Sequence, residues 1–198
     1  MTHFELVPFG AGTLPVVSGS LVRTANQMQI AWHVDPRQHA LVWPSEERIL
    51  RRQDGLWKST CFEIFVAASA TDSSPVKPYF EINISPSGNW QCYRFDDYRQ
   101  AQSVSNTFAV TQSSASHHAE HCSLSCTVEY SLPQFVTTSL DISISAILEM
   151  QPARTSRIDV AMPGSSELTY YALTHPSKQP DFHLASSRLL KLYTDEPI

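Results

Sequence analysis

Two scarcities come first: this chain carries little charge, and it has no long apolar run. Charged residues make up 17% of its 198 positions, 14 Lys and Arg against 19 Asp and Glu, for a formal net charge of −5. Gripping a phosphate backbone needs a basic stripe, so nucleic acid is not an expected partner. No stretch reaches the roughly 20 apolar residues that span a bilayer, and no membrane partner is expected. The opening MTHFELVPFGAGTLPVVSGS has no basic region ahead of an apolar run. It does not read as a secretory leader, and a cytoplasmic location is the expectation.

Catalytic signatures are missing as well. Gly10-Ala11-Gly12 is not followed by a helix and is no dinucleotide fingerprint. There is no G-x-S-x-G elbow, and PGSSE around Ser165 lacks the strand–turn–helix setting such a nucleophile needs. Cysteine is limited to Cys61, Cys92, Cys122 and Cys126. On one extended strand, Cys122 and Cys126 would sit about 13 Å apart, beyond the roughly 7 Å a disulfide spans. All four lie in apolar or alternating runs, which suits reduced, buried thiols.

Helical periodicity is absent over any three turns; alternation is what is there. From Gln27 to Val34, Met28, Ile30, Trp32 and Val34 share a face against Gln29, Ala31 and His33, a half-buried strand. Leu56–Ala68 is apolar on both faces, as a central strand is. Tyr79–Ser85 alternates again, with Phe80, Ile82 and Ile84 opposite Tyr79, Glu81 and Asn83; Pro86–Asn89 reads as a turn returning Trp90–Phe95. Further strands are expected at Thr107–Thr111, Cys122–Leu132, Asp141–Glu149 and Ser187–Tyr193, with short ones near Phe4–Val7 and Tyr170–Leu173. Residues 1–19 otherwise read as an irregular lead-in, TDSSPVKP as a turn, and SEERILRRQ, opened by Ser45, as one or two helical turns. The fold expected is one all-β domain over residues 1–198, an antiparallel sandwich of about 8–10 strands with long loops and at most short helical turns.

Polar residues in mid-strand carry the functional reading. Glu63, Glu81 and Asn83 stand where the opposite face is apolar, with Glu129 and Glu149 repeating this later. Trp57, Tyr79, Trp90, Arg94, Tyr98 and Arg99 are near in sequence. Aromatic rings cover the apolar faces of a sugar while carboxylate, amide and guanidinium groups pair its hydroxyls. Trp57 or Trp90 is the candidate stacking platform, and Arg94 and Arg99 the candidate partners of any buried carboxylate. HHAEHCSLSC gathers zinc-competent side chains, but its spacing fits no closed site, and it reads as a solvated loop entering a core strand.

WKSTCFEIFV, YFEINISPSGNWQCYRFDDYR and YYALTHPSKQPDFH resemble the signature blocks of a bacterial DOMON-like family related to the family 9 carbohydrate-binding modules. The resemblance implies an immunoglobulin-like sandwich and binding of a small ligand, a sugar among the options. Carried over residue by residue, it implicates Glu63, Glu81, Asn83, Arg94 and Arg99, together with Tyr171, His175, Asp181 and His183. Wider relatives bind haem through Met and His; Met28 and Met150 sit in no matching motif, so no haem is expected. No cofactor is expected; calcium would suit such carboxylates, and zinc or calcium would accompany a metal-assisted alternative. The first function is therefore non-catalytic binding of a small carbohydrate or similar polar ligand on a concave sheet face. One alternative is a carboxylate- or metal-assisted hydrolase using the same face with His175 and His183. Another is a structural module with an internal ion-pair network.

Overall fold

The computed structural model describes residues 1–24, 26–47, 49–69, 78–130, 139–151 and 166–193. Ser165, most of the TDSSPVKP turn and the end of the strand expected to reach Leu132 lie outside these residues. Twelve strands are formed: β1 (Thr2–Pro8), β2 (Val16–Arg23), β3 (Gln27–Asp35), β4 (Cys61–Ala68), β5 (Tyr79–Ile84), β6 (Trp90–Phe95), β7 (Ser103–Val104), β8 (Phe108–His118), β9 (His121–Tyr130), β10 (Leu140–Met150), β11 (Glu167–Ala172) and β12 (Leu190–Leu192). Two 3-10 turns, Leu56–Lys58 and Ala185–Ser187, complete the regular structure among the described residues. All strand pairs are antiparallel, in the order β7-β6-β5-β4-β10-β11-β1-β2-β3-β9-β8, with β12 also on β10.

This ribbon folds over on itself at β1. That strand pairs β2 through Thr2–Leu6 and β11 through Val7 and Pro8, so one strand serves both halves. The halves then face each other as the two layers of a sandwich. Trp32 on β3 meets Phe62 on β4 at 5.3 Å between ring centroids, and Phe80 on β5 meets Phe108 on β8 at 5.2 Å. Trp32, Phe62, Ile64, Ile82 and Leu124 are wholly buried in that shared core. Each such side chain contributes about 1.5–3 kcal/mol by leaving water. All four cysteines are buried, free thiols.

Two expectations are corrected. The lead-in hides β2, whose inward residues are Val17, Gly19, Leu21 and Arg23. Its serines and glycine resemble a loop, yet they keep the two-residue period that burial requires. Arg23 is buried because its Nε donates to the Tyr130 hydroxyl and its Nη1 to the Leu192 carbonyl. The described residues of SEERILRRQ form no helix. Backbone bonds from Trp90 N to Arg51 O and from Gln53 N to Trp90 O draw that segment along β6, and Arg52 stacks 4.2 Å above the Trp90 ring. Sheet pairing there outweighs a weak local helical preference.

One face of the β4–β5–β10 layer fills the shared core. Its other face is covered by the segment between β11 and β12 and by the Leu56–Lys58 turn, forming a second, smaller apolar cluster around Phe65, Tyr79, Tyr93, Phe95, Ile147 and Phe182.

Candidate functional site

The site follows from strand parity. On β4 and β5, Phe62, Ile64, Phe80, Ile82 and Ile84 point into the shared core, so Glu63, Glu81 and Asn83 must point the other way. Register places Glu63 opposite Asn83 and Phe65 opposite Glu81. Glu63 and Glu81 are thus diagonal neighbours, about 7–8 Å apart along the sheet, within reach of side chains their length. From the other neighbour, β10, Ser145 stands opposite Glu63 and donates from Oγ to Glu63 Oε2 at 2.9 Å. Asn83 Nδ2 donates to Glu81 Oε1 at 2.7 Å.

The two carboxyls open onto a cavity of about 360 Å³. Its walls include Trp57, Phe95, Tyr170 and Phe182, with Ile147 at its floor and Arg99, Gln102, Pro180 and His183 around it. Glu63 and Glu81 are nevertheless only 3% and 6% exposed. Desolvation pushes the Glu63 carboxyl up to about 8, with the neighbouring Glu81 charge adding to it and Ser145 offsetting part. Glu81 is pushed up to about 7 by the same burial, moderated by its bond from Asn83 and by Arg99. Burial makes an unpaired charge costly, so the pair together holds at least one proton at neutral pH.

His183 connects the carboxyls to the rim. The Arg99 backbone N–H donates to the Tyr79 hydroxyl at 3.2 Å, and that hydroxyl lies 2.8 Å from His183 Nδ1. Both tautomers of a neutral imidazole satisfy this contact, the phenol either donating to Nδ1 or accepting from it. Nε2 lies 3.6 Å from Glu81 Oε2. Burial lowers His183 to about 4, with Arg99 reinforcing the effect, so the imidazole is neutral.

The rim is closed by a clasp between two loops. Tyr98 donates from its hydroxyl to Asp181 Oδ2 at 2.5 Å, and Arg99 Nη2 meets Asp181 Oδ1 at 3.2 Å. Burial by itself would raise Asp181, but Tyr98, the His183 N–H and Arg99 outweigh it and hold the carboxyl below its usual range. Arg99 and Ala101 adopt φ of 51° and 53°, a left-handed backbone that non-glycine residues reach only under constraint.

Of the residues expected in the site, Trp57, Glu63, Glu81, Arg99 and His183 line the cavity, Asp181 closes its rim and Asn83 lies beneath Glu81. Four fall elsewhere. Trp90 and Arg94 pair with Ile84 and Phe80, which places them on the opposite face of the sheet. Trp90 is buried in the core, while Arg94 is exposed and pairs with Asp96 at 2.7 Å. Tyr171 is fully buried in the shared core beside Ala146, and it is Tyr170 that reaches the cavity. His175 Nε2 lies 2.8 Å from the Val7 carbonyl and its ring packs against Phe9 and Phe182.

Sequence reasoning missed Tyr170, Phe95, Ile147, Phe182 and Ser145. Tyr170 and Phe182 lie inside the block that drew attention to Tyr171 and His183, where alternation was the available signal. Ser145 and Ile147 become visible only with the β4–β10 register. Arg94 and Arg99 do not pair with the carboxyls as expected; Ser145 and Asn83 hold them instead.

The histidine-rich hairpin between β8 and β9 is disposed differently. His117 stacks on Trp43, His121 stacks on His33, and Cys122 and Cys126 turn inward. Among the described residues, no three His, Cys, Asp or Glu side chains are grouped to hold a metal ion.

The chain matches no family model and no curated protein. Among solved structures it is similar to a carbohydrate binding module family 9 from Caldicellulosiruptor kristjanssonii in complex with glucose, at 8% identity over 95% of this chain and 81% of that one, with a TM-score of 0.43. It is also similar to a family 9 module from the same organism in complex with cellotriose, at 10% identity over 86% of this chain and 71% of that one, with a TM-score of 0.42.

Proposed function

We propose that this protein binds a small polyhydroxylated ligand, about the size of a monosaccharide, in the cavity above Glu63 and Glu81, and does not transform it. The observation that supports this most is the pairing of aromatic walls with buried carboxyls whose remaining oxygens face open space. A cavity of about 360 Å³ suits one sugar ring. Trp57 and Tyr170 offer apolar faces to ring C–H groups, while Glu63 and Glu81 accept from hydroxyls. In their protonated forms the carboxyls also donate, which matches a ligand whose hydroxyls do both. Cytoplasmic location remains part of this proposal.

Calorimetric titration with a panel of free monosaccharides at neutral pH tests it. At least one sugar is expected to bind, and Glu81→Gln to weaken it by about tenfold, the equivalent of 1.4 kcal/mol. Absence of heat and of any melting shift across the panel at 20 mM would overturn the reading, since a ligand at 100 times its Kd adds about 2.7 kcal/mol of stability. Turnover of nitrophenyl glycosides that is lost in Glu63→Gln and Glu81→Gln would move the assignment to carboxylate-assisted hydrolysis.

A further inference from the structure

We propose that the ligand carries a primary ammonium group, as an amino sugar does, and that Glu63 and Glu81 together form its counter-ion. This rests on the reading that the cavity takes a polyhydroxylated molecule, and it names the kind.

The geometry is that of a carboxyl pair with no Arg or Lys in salt-bridge contact among the described residues, although Arg99 lines the same cavity and its charge lowers both carboxyls through space. From β4 and β5 the groups facing the carboxyls are the Cys61 thiol and the Tyr79 phenol, neither of them a cation. From β6 there is the Tyr93 hydroxyl, which donates to Asp54. Three basic side chains approach from the covering loops. The guanidinium of Arg99 is held by Asp181 at 3.2 Å. That of Arg188 lies 4.5 Å over the Tyr79 ring and donates to the His183 carbonyl at 3.4 Å. His183 is the only basic group within 4 Å of either carboxylate among the described residues, and it is neutral.

Each carboxyl is left with one oxygen that receives no hydrogen bond among the described residues. Glu63 Oε2 is bonded by Ser145 and its Oε1 by nothing; Glu81 Oε1 is bonded by Asn83, while its Oε2 has His183 at 3.6 Å. Both side chains are more than nine-tenths buried, yet both line the cavity. A buried carboxylate without a cation costs several kcal/mol, and removing that cost requires either a proton or a positive partner. A neutral sugar supplies only hydroxyl donors. An ammonium supplies charge and three donors, directed at two free oxygens on adjacent strands. Trp57, Tyr170 and Phe95 also line the cavity, and aromatic rings are favourable neighbours for a cation.

Charge balance makes this measurable. In the empty pocket the pair holds at least one proton; the incoming ammonium stabilises both ionised carboxylates, and that proton passes to the buffer. Binding is therefore coupled to proton release, and its heat depends on the buffer's ionisation enthalpy.

The test is calorimetry at pH 7 with two matched pairs, glucosamine against glucose and galactosamine against galactose, each in phosphate and in MOPS, with N-acetylglucosamine as a bulk control. In at least one pair the amine is expected to bind about tenfold or more tighter than its neutral partner, with close to one proton released and N-acetylglucosamine behaving as a neutral sugar. Glu63→Gln is expected to remove the preference. If that variant does not fold, Glu81→Gln is read the same way, and the buffer dependence needs no variant. Neutral sugars binding as tightly as the amines, or without proton release from the amines, would overturn the ammonium assignment and leave the polyol reading standing. No binding by either member of both pairs would overturn both.

Discussion

Two tryptophans show how one residue type takes two roles in this molecule. Trp57 is half-buried on a 3-10 turn, in a T-shaped contact with Tyr93 at 5.9 Å between centroids, and lines the cavity. Trp90 is 7% exposed, on the core side of β6, with Arg52 over its ring. Trp57→Ala is expected to lose ligand affinity with a change of about 1 kcal/mol in stability. Trp90→Ala is expected to cost about 3–5 kcal/mol while leaving affinity per folded molecule unchanged. Urea unfolding beside titration separates the two, and equal stability losses would contradict the placement. Sequence proximity made both candidates. What divides them is the hairpin register, Ile84 opposite Trp90 and Glu81 opposite Tyr93, which puts odd-numbered residues of β5 and β6 on one face and even-numbered residues on the other.

Among the elements, β2 shows how close packing relies on an absent side chain. A Cβ at Gly19 would lie 2.2 Å from the Ala31 carbonyl oxygen on β3 and 2.4 Å from the Phe4 ring on β1. Glycine lets the Phe4 ring lie directly over the β2 backbone in the middle of the layer. Gly19→Ala is expected to destabilise the protein by about 3 kcal/mol or more, since a backbone oxygen cannot step aside as a side-chain tip can. A variant melting within about 2 °C of the parent would show that the β1–β2–β3 packing is looser than described. The same element was illegible in the sequence because serine and glycine at alternate positions look like turn chemistry. β3, β4 and β5 were legible, because large apolar residues mark their faces.

For the whole molecule, the buried carboxyl pair sets the response to pH. Glu63 and Glu81 are held near 8 and 7 against an ordinary value of 4.5 by burial. The folded state therefore binds more protons than the unfolded chain over that interval, and stability falls as pH rises through it. His183, lowered from 6.5 to about 4, opposes this mainly below pH 6.5, where the unfolded chain takes the extra proton. Above 6.5 that opposing term fades and the carboxyls dominate. Each retained proton gives a slope of at most about 1.4 kcal/mol per pH unit. The melting temperature is thus expected to be about 2–4 °C lower at pH 7.5 than at pH 6.5, and Glu63→Gln to flatten that slope. A melting temperature that rises over this interval would mean the pair is ionised in the folded protein.

The fold class and the inward polar trio of the site were legible in the residues alone, and of the aromatic wall only Trp57 was. Alternation of large apolar residues dictates extended strands buried on one or both faces, and mid-strand Glu63, Glu81 and Asn83 are fixed to the face opposite Phe80 and Ile82 by a two-residue period that no packing can alter. Tertiary structure decided everything that depends on which strand lies beside which. Register brought Ser145 to Glu63, the parity of the β5–β6 hairpin sent Trp90 and Arg94 to the other side, and the loop before β12 laid Phe182 and His183 over the carboxyls. These choices belong to long-range pairing, whose energy comes from contacts between residues as many as 169 positions apart. No local pattern encodes them.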